Sequence, residues 1–180
     1  MVYGVYKHTR DSAWKCIIDC GVDSLPVNLS KICRHFDIKI VKNSSLGINR
    51  LRSNEHAVNI FIDRKCYIIV DDSDTMQTQR FSIAHEIGHI FMGKSAGEPE
   101  AEKFAMNLLA PACVLWGLDL HKKQDIAEIC DIPEESAKKR AVRMRVLYKR
   151  EKFLTSDMEK KVFEQFKPYI ADHLKTVTKT

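Results

Sequence analysis

Glycine and proline are scarce, 7 and 5 in 180 residues, which excludes collagen-like repeats and low-complexity linkers. Long apolar runs are absent too. No stretch approaches the roughly 18 apolar residues of a membrane span, and Lys7, His8, Arg10 and Asp11 break the segment Met1 to Lys15 where a signal peptide needs an apolar core. The expectation is therefore a cytoplasmic chain that meets no membrane. Cys16, Cys20, Cys33, Cys66, Cys113 and Cys130 form no C-x-x-C pair and have no close histidine partner, so they read as reduced, mostly buried thiols rather than a zinc knuckle or a disulfide frame.

What remains is a globular composition, 44% hydrophobic and 29% charged. Its length fits one domain, or one domain with a helical extension. The net charge of +5 is uneven: residues 121–180 hold 15 Lys and Arg against 10 Asp and Glu, while residues 1–120 hold 14 of each. The excess concentrates between Lys138 and Lys152, where Glu151 is the one acid. A basic run on a helix is usually a solvated face, so contact with nucleic acid is possible but not favoured.

Periodicity predicts a helix over Asp11 to Cys20, a second over Val27 to Phe36 and a strand at Ile38 to Val41. Ala57 to Ile62 and Cys66 to Val70 read as an antiparallel hairpin, so three strands are expected to form a small antiparallel sheet. Asp74 with Gln77 resembles a capping box opening a helix that Gly93 ends, and after a linker at 94–97 another helix runs from Glu98 to Ala110. Beyond Pro111 the chain reads as helical, near 122–131, 133–150 and 156–174. The expected organisation is a core over 1–120 and a helical segment over 121–180 packed on it. Ile126 to Ala137 has the rhythm of a helix-turn-helix, but Asp131 stands where a glycine is usual, and Glu134 and Glu135 put negative charge where a recognition helix would enter a groove.

Within the helix before Gly93, His85-Glu86-Ile87-Gly88-His89 forms the H-E-x-x-H pattern. Four residues are slightly more than one turn, so both imidazoles leave the same face and can share one zinc. Glu86, one step round, can reach a water beside that metal as a general base without being a ligand. Gly88 leaves room for a neighbouring element. A catalytic zinc needs a third protein ligand. Glu98, Glu100 and Glu102 open the next helix; Glu98 and Glu102 share a face with Ala101 and Ala105, and Glu100 turns outward. This favours Glu98 over Glu102 as the ligand, with the Glu102 carboxylate orienting an imidazole. Together these residues point to a zinc-dependent peptidase. The competing reading is a zinc-stabilised, non-proteolytic regulator that binds DNA or a repressor through its basic carboxy-terminal helix; an intact Glu86 favours the enzyme.

The stretch Gln79 to His89, followed by Glu98 to Pro111, resembles the ImmA/IrrE family of zinc metallopeptidases, which pairs R-F-x-x-A-H-E-x-G-H with E-x-x-A-x-x-F-A-x-x-L-L-x-P. Leu25-Pro26-Val27 to Ile38 extends the likeness, which covers roughly residues 10–150. The resemblance implies an α+β, gluzincin-like (zincin-like) fold, with His85, His89 and Glu98 as the Zn2+ ligands and Glu86 as the catalytic carboxylate. Members are often carried by phages and integrative elements, where they act as anti-repressors by promoting cleavage of a helix-turn-helix repressor. The implied partner is such a protein substrate. At the position of Glu102 the family more often has Asp or Asn.

Overall fold

The computed structural model describes residues 2–93 and 96–177, with side chains from His8 to Thr176; of the expected linker, Lys94 and Ser95 lie outside the described residues. α1 (Val2–Asp19) and α2 (Leu29–His35) lead into β1 (Ile38–Lys42). A short 3-10 turn (Asn43–Leu46) and an irregular segment reach β2 (Ala57–Ile62), which turns tightly into β3 (Lys65–Val70). Helices α3 (Met76–Met92), α4 (Glu98–Leu109), α5 (Ala112–Gly117), α6 (Lys123–Cys130), α7 (Glu134–Lys149) and α8 (Asp157–Val177) follow. No helix among the described residues is long and apolar enough to cross a membrane.

The sheet is mixed, and this corrects the antiparallel expectation. β2 and β3 form the antiparallel hairpin, but β1 lies on the other side of β3 and runs parallel to it, Ile38 opposite Cys66 and Lys42 opposite Val70. Parallel neighbours need a long crossover. Residues 43–64 supply one: 43–56 lead from β1 to the far edge of the sheet, and β2 returns the chain so that β3 starts beside the beginning of β1.

A second correction concerns the start of α3. The helix is capped by Thr75, whose hydroxyl accepts from the Thr78 N–H at 3.2 Å, not by an Asp74–Gln77 box. Both residue types cap well. Asp74 is engaged elsewhere, its carboxylate 2.8 Å from His56 Nδ1, and Gln77 reaches Asp131.

α3 and α4 pack so closely that a Cβ on Gly88 would sit 3.1 Å from three carbons of the fully buried Phe104. Phe104, Ala105, Leu108 and Leu109 join Trp14 and Ile17 of α1 in the core. Ile126, Cys130, Ile132, Ala137, Ala141 and Met144 of the α6–α7 region belong to that same core. Asp131, in the turn before α7, takes the left-handed conformation (φ 50°) that a glycine would adopt most easily. Arg80 pins the turn to α3: its Nε lies 3.1 Å from both the carbonyl and the carboxylate of Asp131, and its Nη2 donates to the Val27 carbonyl. Arg140, 2% exposed, donates to Met106 O and Asn107 Oδ1, so part of the basic run faces inward and fastens α7 to α4.

All six cysteines are buried and free. Burial pushes the Cys113 and Cys130 thiols up to about 12 and Cys33 up to about 11. Inert thiols suit packing, not chemistry.

Candidate metal centre

α3 presents His85 and His89 on its solvent side, a turn apart. Their Nε2 atoms are 3.1 Å from each other. α4 enters with Glu98 in its first turn, and the close contact at Gly88 brings that turn over the two imidazoles. Glu98 Oε2 lies 3.0 Å from His85 Nε2, and Glu98 Oε1 lies 3.3 Å from His89 Nε2. A tetrahedral zinc with bonds of about 2.0–2.1 Å has ligand-to-ligand edges of about 3.3 Å. Each imidazole thus stands about one such edge from the other and from a Glu98 oxygen, Oε2 toward His85 and Oε1 toward His89, and borderline nitrogen plus carboxylate oxygen is a donor set that zinc takes. The imidazoles are about one-fifth exposed and Glu98 is 80% exposed, so the open side of the triangle faces solvent.

Glu86 lies beside this triangle and is buried at 8% exposure. It is held by β2: Oε2 accepts from the Asn59 backbone N–H at 3.0 Å and from Asn59 Nδ2 at 2.6 Å. The donor is available because β2 is an edge strand of the sheet. Beneath it, burial first and the Glu86 charge second push the Cys66 thiol up, which keeps that sulfur protonated.

His85, Glu86, Glu98 and Glu102 line one cleft of about 570 Å³, with His56, Phe81, Ser82 and Pro99 on its walls. A larger depression of about 850 Å³ lies on the far face of the sheet over Val58, Ile60 and Ile69. No histidine or cysteine lines it, so the chemistry belongs to the smaller cleft. Glu102 directs its carboxylate to Lys139 of α7, at 2.5 Å. Among the described residues, His85, His89 and Glu98 are the one group placed to hold a metal ion.

The family model described as the IrrE N-terminal-like domain, Peptidase_M78, matches residues 33–142. The chain belongs to this family. The match runs from α2 into α7 and contains the whole cleft; α1 and the Leu25-Pro26-Val27 segment, included in the sequence resemblance, lie before it. Membership in Peptidase_M78 points to a peptidase and implies a metal, for which the two imidazoles and Glu98 are the available donors. Among curated proteins none matches the chain.

Two residues of the site, Asn59 behind Glu86 and His56 on the cleft wall, carried no motif. Asn59 is the lone polar side chain in the otherwise apolar strand Ala57–Ile62, and that interruption is the signal that could have marked it. His56, just before the strand, is fixed by Asp74 at Nδ1. No local pattern announces that pair, whose members are 18 residues apart.

Proposed function

We propose that the chain is a zinc-dependent endopeptidase of the H-E-x-x-H type, with His85, His89 and Glu98 as metal ligands and Glu86 as the general base. The observation that carries the reading is the Glu86 carboxylate, buried, gripped by Asn59 and set beside an open triangle of three metal donors. A structural zinc site needs no such fourth group. Bound zinc supplies Lewis acidity, polarising the scissile carbonyl and acidifying the attacking water.

The protein's own part is positioning and proton transfer. Asn59 binds one oxygen of Glu86 through two donors, which limits rotation of the carboxylate and leaves it one defined orientation. Glu86 takes the proton from the attacking water and delivers it to the leaving nitrogen. His56 is turned on the cleft wall by Asp74, whose carboxylate accepts from Nδ1, so it is the imidazolium form that has an Nε2–H to offer the oxygen that gains charge in the transition state. Glu102 supports the cleft from α4 through its tie to Lys139.

The substrate reading, a helix-turn-helix repressor cut by an anti-repressor of a phage or integrative element, is carried over from the family resemblance. It matches an open cleft suited to a protein segment. The basic helix α7 is fastened to α4 by Arg140 and opens with Glu134 and Glu135, which weighs against the rival DNA-binding regulator. Where the neighbouring gene encodes a small helix-turn-helix repressor, incubating the zinc-loaded protein with that repressor tests the assignment. One discrete cut, abolished by a chelator, is expected; an intact repressor would remove that substrate.

A further inference from the structure

The cleft does not end at Glu98. Its wall at Pro99 and Glu102 is shared with a second hollow of about 340 Å³ between α4 and α7. That hollow shares Asn107 and Arg143 with a third, of about 180 Å³, among α1, α7 and the turn after α7. The three adjoin across these shared walls, and the row they form, called the trough below, leads away from the metal donors. From Pro99 to Asn107 the helix rises about 12 Å, the length of about four extended residues.

Charge changes sign along this path. Glu98 and Glu102 mark the cleft end. Beyond the neck, where Lys139 meets Glu102, the walls carry Lys103, Lys139 and Arg143, then Arg10, Arg150 and Lys152, against Glu102 and Glu159 as the acids. These cations come from α1, α4, α7 and the turn after α7, separate stretches of sequence, so helix periodicity alone does not gather them. Several are fixed in place. Arg10 lies 4.7 Å over the Trp14 ring and is bonded to Asp11, and the inward Arg140 anchors the helix that carries Lys139 and Arg143. Arg150 and Lys152 are exposed, and neither side chain forms an ion pair among the described residues.

We infer that this trough is an exosite for an acidic, extended segment of the protein substrate, a few residues to one side of the scissile bond. The inference rests on the peptidase reading and adds to it the charge of the substrate it selects. A peptide suits the trough better than nucleic acid, because its hollows are of side-chain size.

The test measures binding apart from hydrolysis. A fluorescent short oligoglutamate peptide and its oligoglutamine counterpart are titrated against the full-length, zinc-loaded Glu86→Gln protein. Oligoglutamate binds about 10-fold or more tightly, and the preference fades as salt is added. Substituting Lys139→Glu, Arg150→Glu and Lys152→Glu together abolishes the preference, Lys152→Glu alone reduces it, and Lys39→Glu on β1 leaves it. An unchanged melting temperature separates lost binding from lost fold. Equal binding of both peptides, an indifferent triple variant, or displacement by a lower concentration of short duplex DNA overturns the exosite. Hydrolysis of a proteome-derived peptide library by the wild-type protein separates the two claims. Cuts without an acidic bias overturn the exosite and keep the peptidase. Oligoglutamate selectivity without any cut overturns the peptidase and leaves an acidic-segment site standing.

Discussion

Asn59 holds Glu86 twice, through its backbone N–H at 3.0 Å and its side-chain amide at 2.6 Å, both to the same carboxylate oxygen. The sheet edge thereby positions the proposed general base, while α3 and α4 position the metal donors. The two jobs are structurally separable, so they should separate in mutants.

Asn59→Ala removes the stronger tether and keeps the backbone one. Turnover should fall about 10-fold or more, as expected when a general base loses its alignment. Zinc content should be unchanged, and stability should drop by about 1–3 kcal/mol because a buried carboxylate loses a donor. Loss of zinc in this variant would mean that Glu86 belongs to the ligand set.

His85→Ala, His89→Ala and Glu98→Ala should each lose stoichiometric zinc. Glu102→Ala should cost less than Glu98→Ala, because the Glu102 carboxylate is engaged by Lys139 and bonds to neither imidazole among the described residues, and Glu100→Ala should be nearly silent. Competition with a zinc chelator ranks the variants. If Glu102→Ala proved worse than Glu98→Ala, the third ligand would be Glu102, and its contact with Lys139 would have to break on metal binding.

His56→Ala should lower turnover by about 10²-fold with little change in KM or zinc content, because the donor it removes acts on charge that develops only in the transition state. Asp74→Asn should give a smaller loss in the same direction, since it loosens the ring without deleting it. Wild-type turnover in His56→Ala would assign oxyanion stabilisation elsewhere.

Much of this architecture is legible in the order of residue types, and the exceptions have physical causes. Periodicity places α3 and α4 within a residue or two because each has a continuous buried stripe. Strand alternation reports which face is buried, not which way a neighbour runs, so the parallel pairing of β1 with β3 left no mark. Asp74 and Thr75 are adjacent residues that both cap helices; Asp74 is engaged by His56, from 18 residues away, and Thr75 caps. The His85–His89 spacing is local and readable, whereas the meeting of Glu98 with that pair depends on how closely two helices approach. That approach is set by Gly88 against Phe104.

Gly88→Ala tests that dependence. In an isolated helix the change is favourable by about 1 kcal/mol, but here the added methyl would press on a buried ring at 3.1 Å. Overpacking of this kind costs about 1–3 kcal/mol, so the net effect should be neutral to destabilising. The diagnostic reading is zinc affinity, which should weaken as α4 shifts and carries Glu98 away from the imidazoles. A stabilised variant with unaltered zinc affinity would show that the helix contact does not set the donor geometry.

The central claim is that Glu86 performs proton transfer at a metal centre built by other residues. Its most direct test compares zinc-loaded wild-type protein with zinc-loaded Glu86→Gln on one proteome-derived peptide library, reading newly formed amino termini by mass spectrometry. Proton transfer by Glu86 predicts cuts by the wild type and at least about 10²-fold fewer by the variant at equal zinc content. Equal cutting by both proteins, or none by a wild type that holds its zinc, would contradict it.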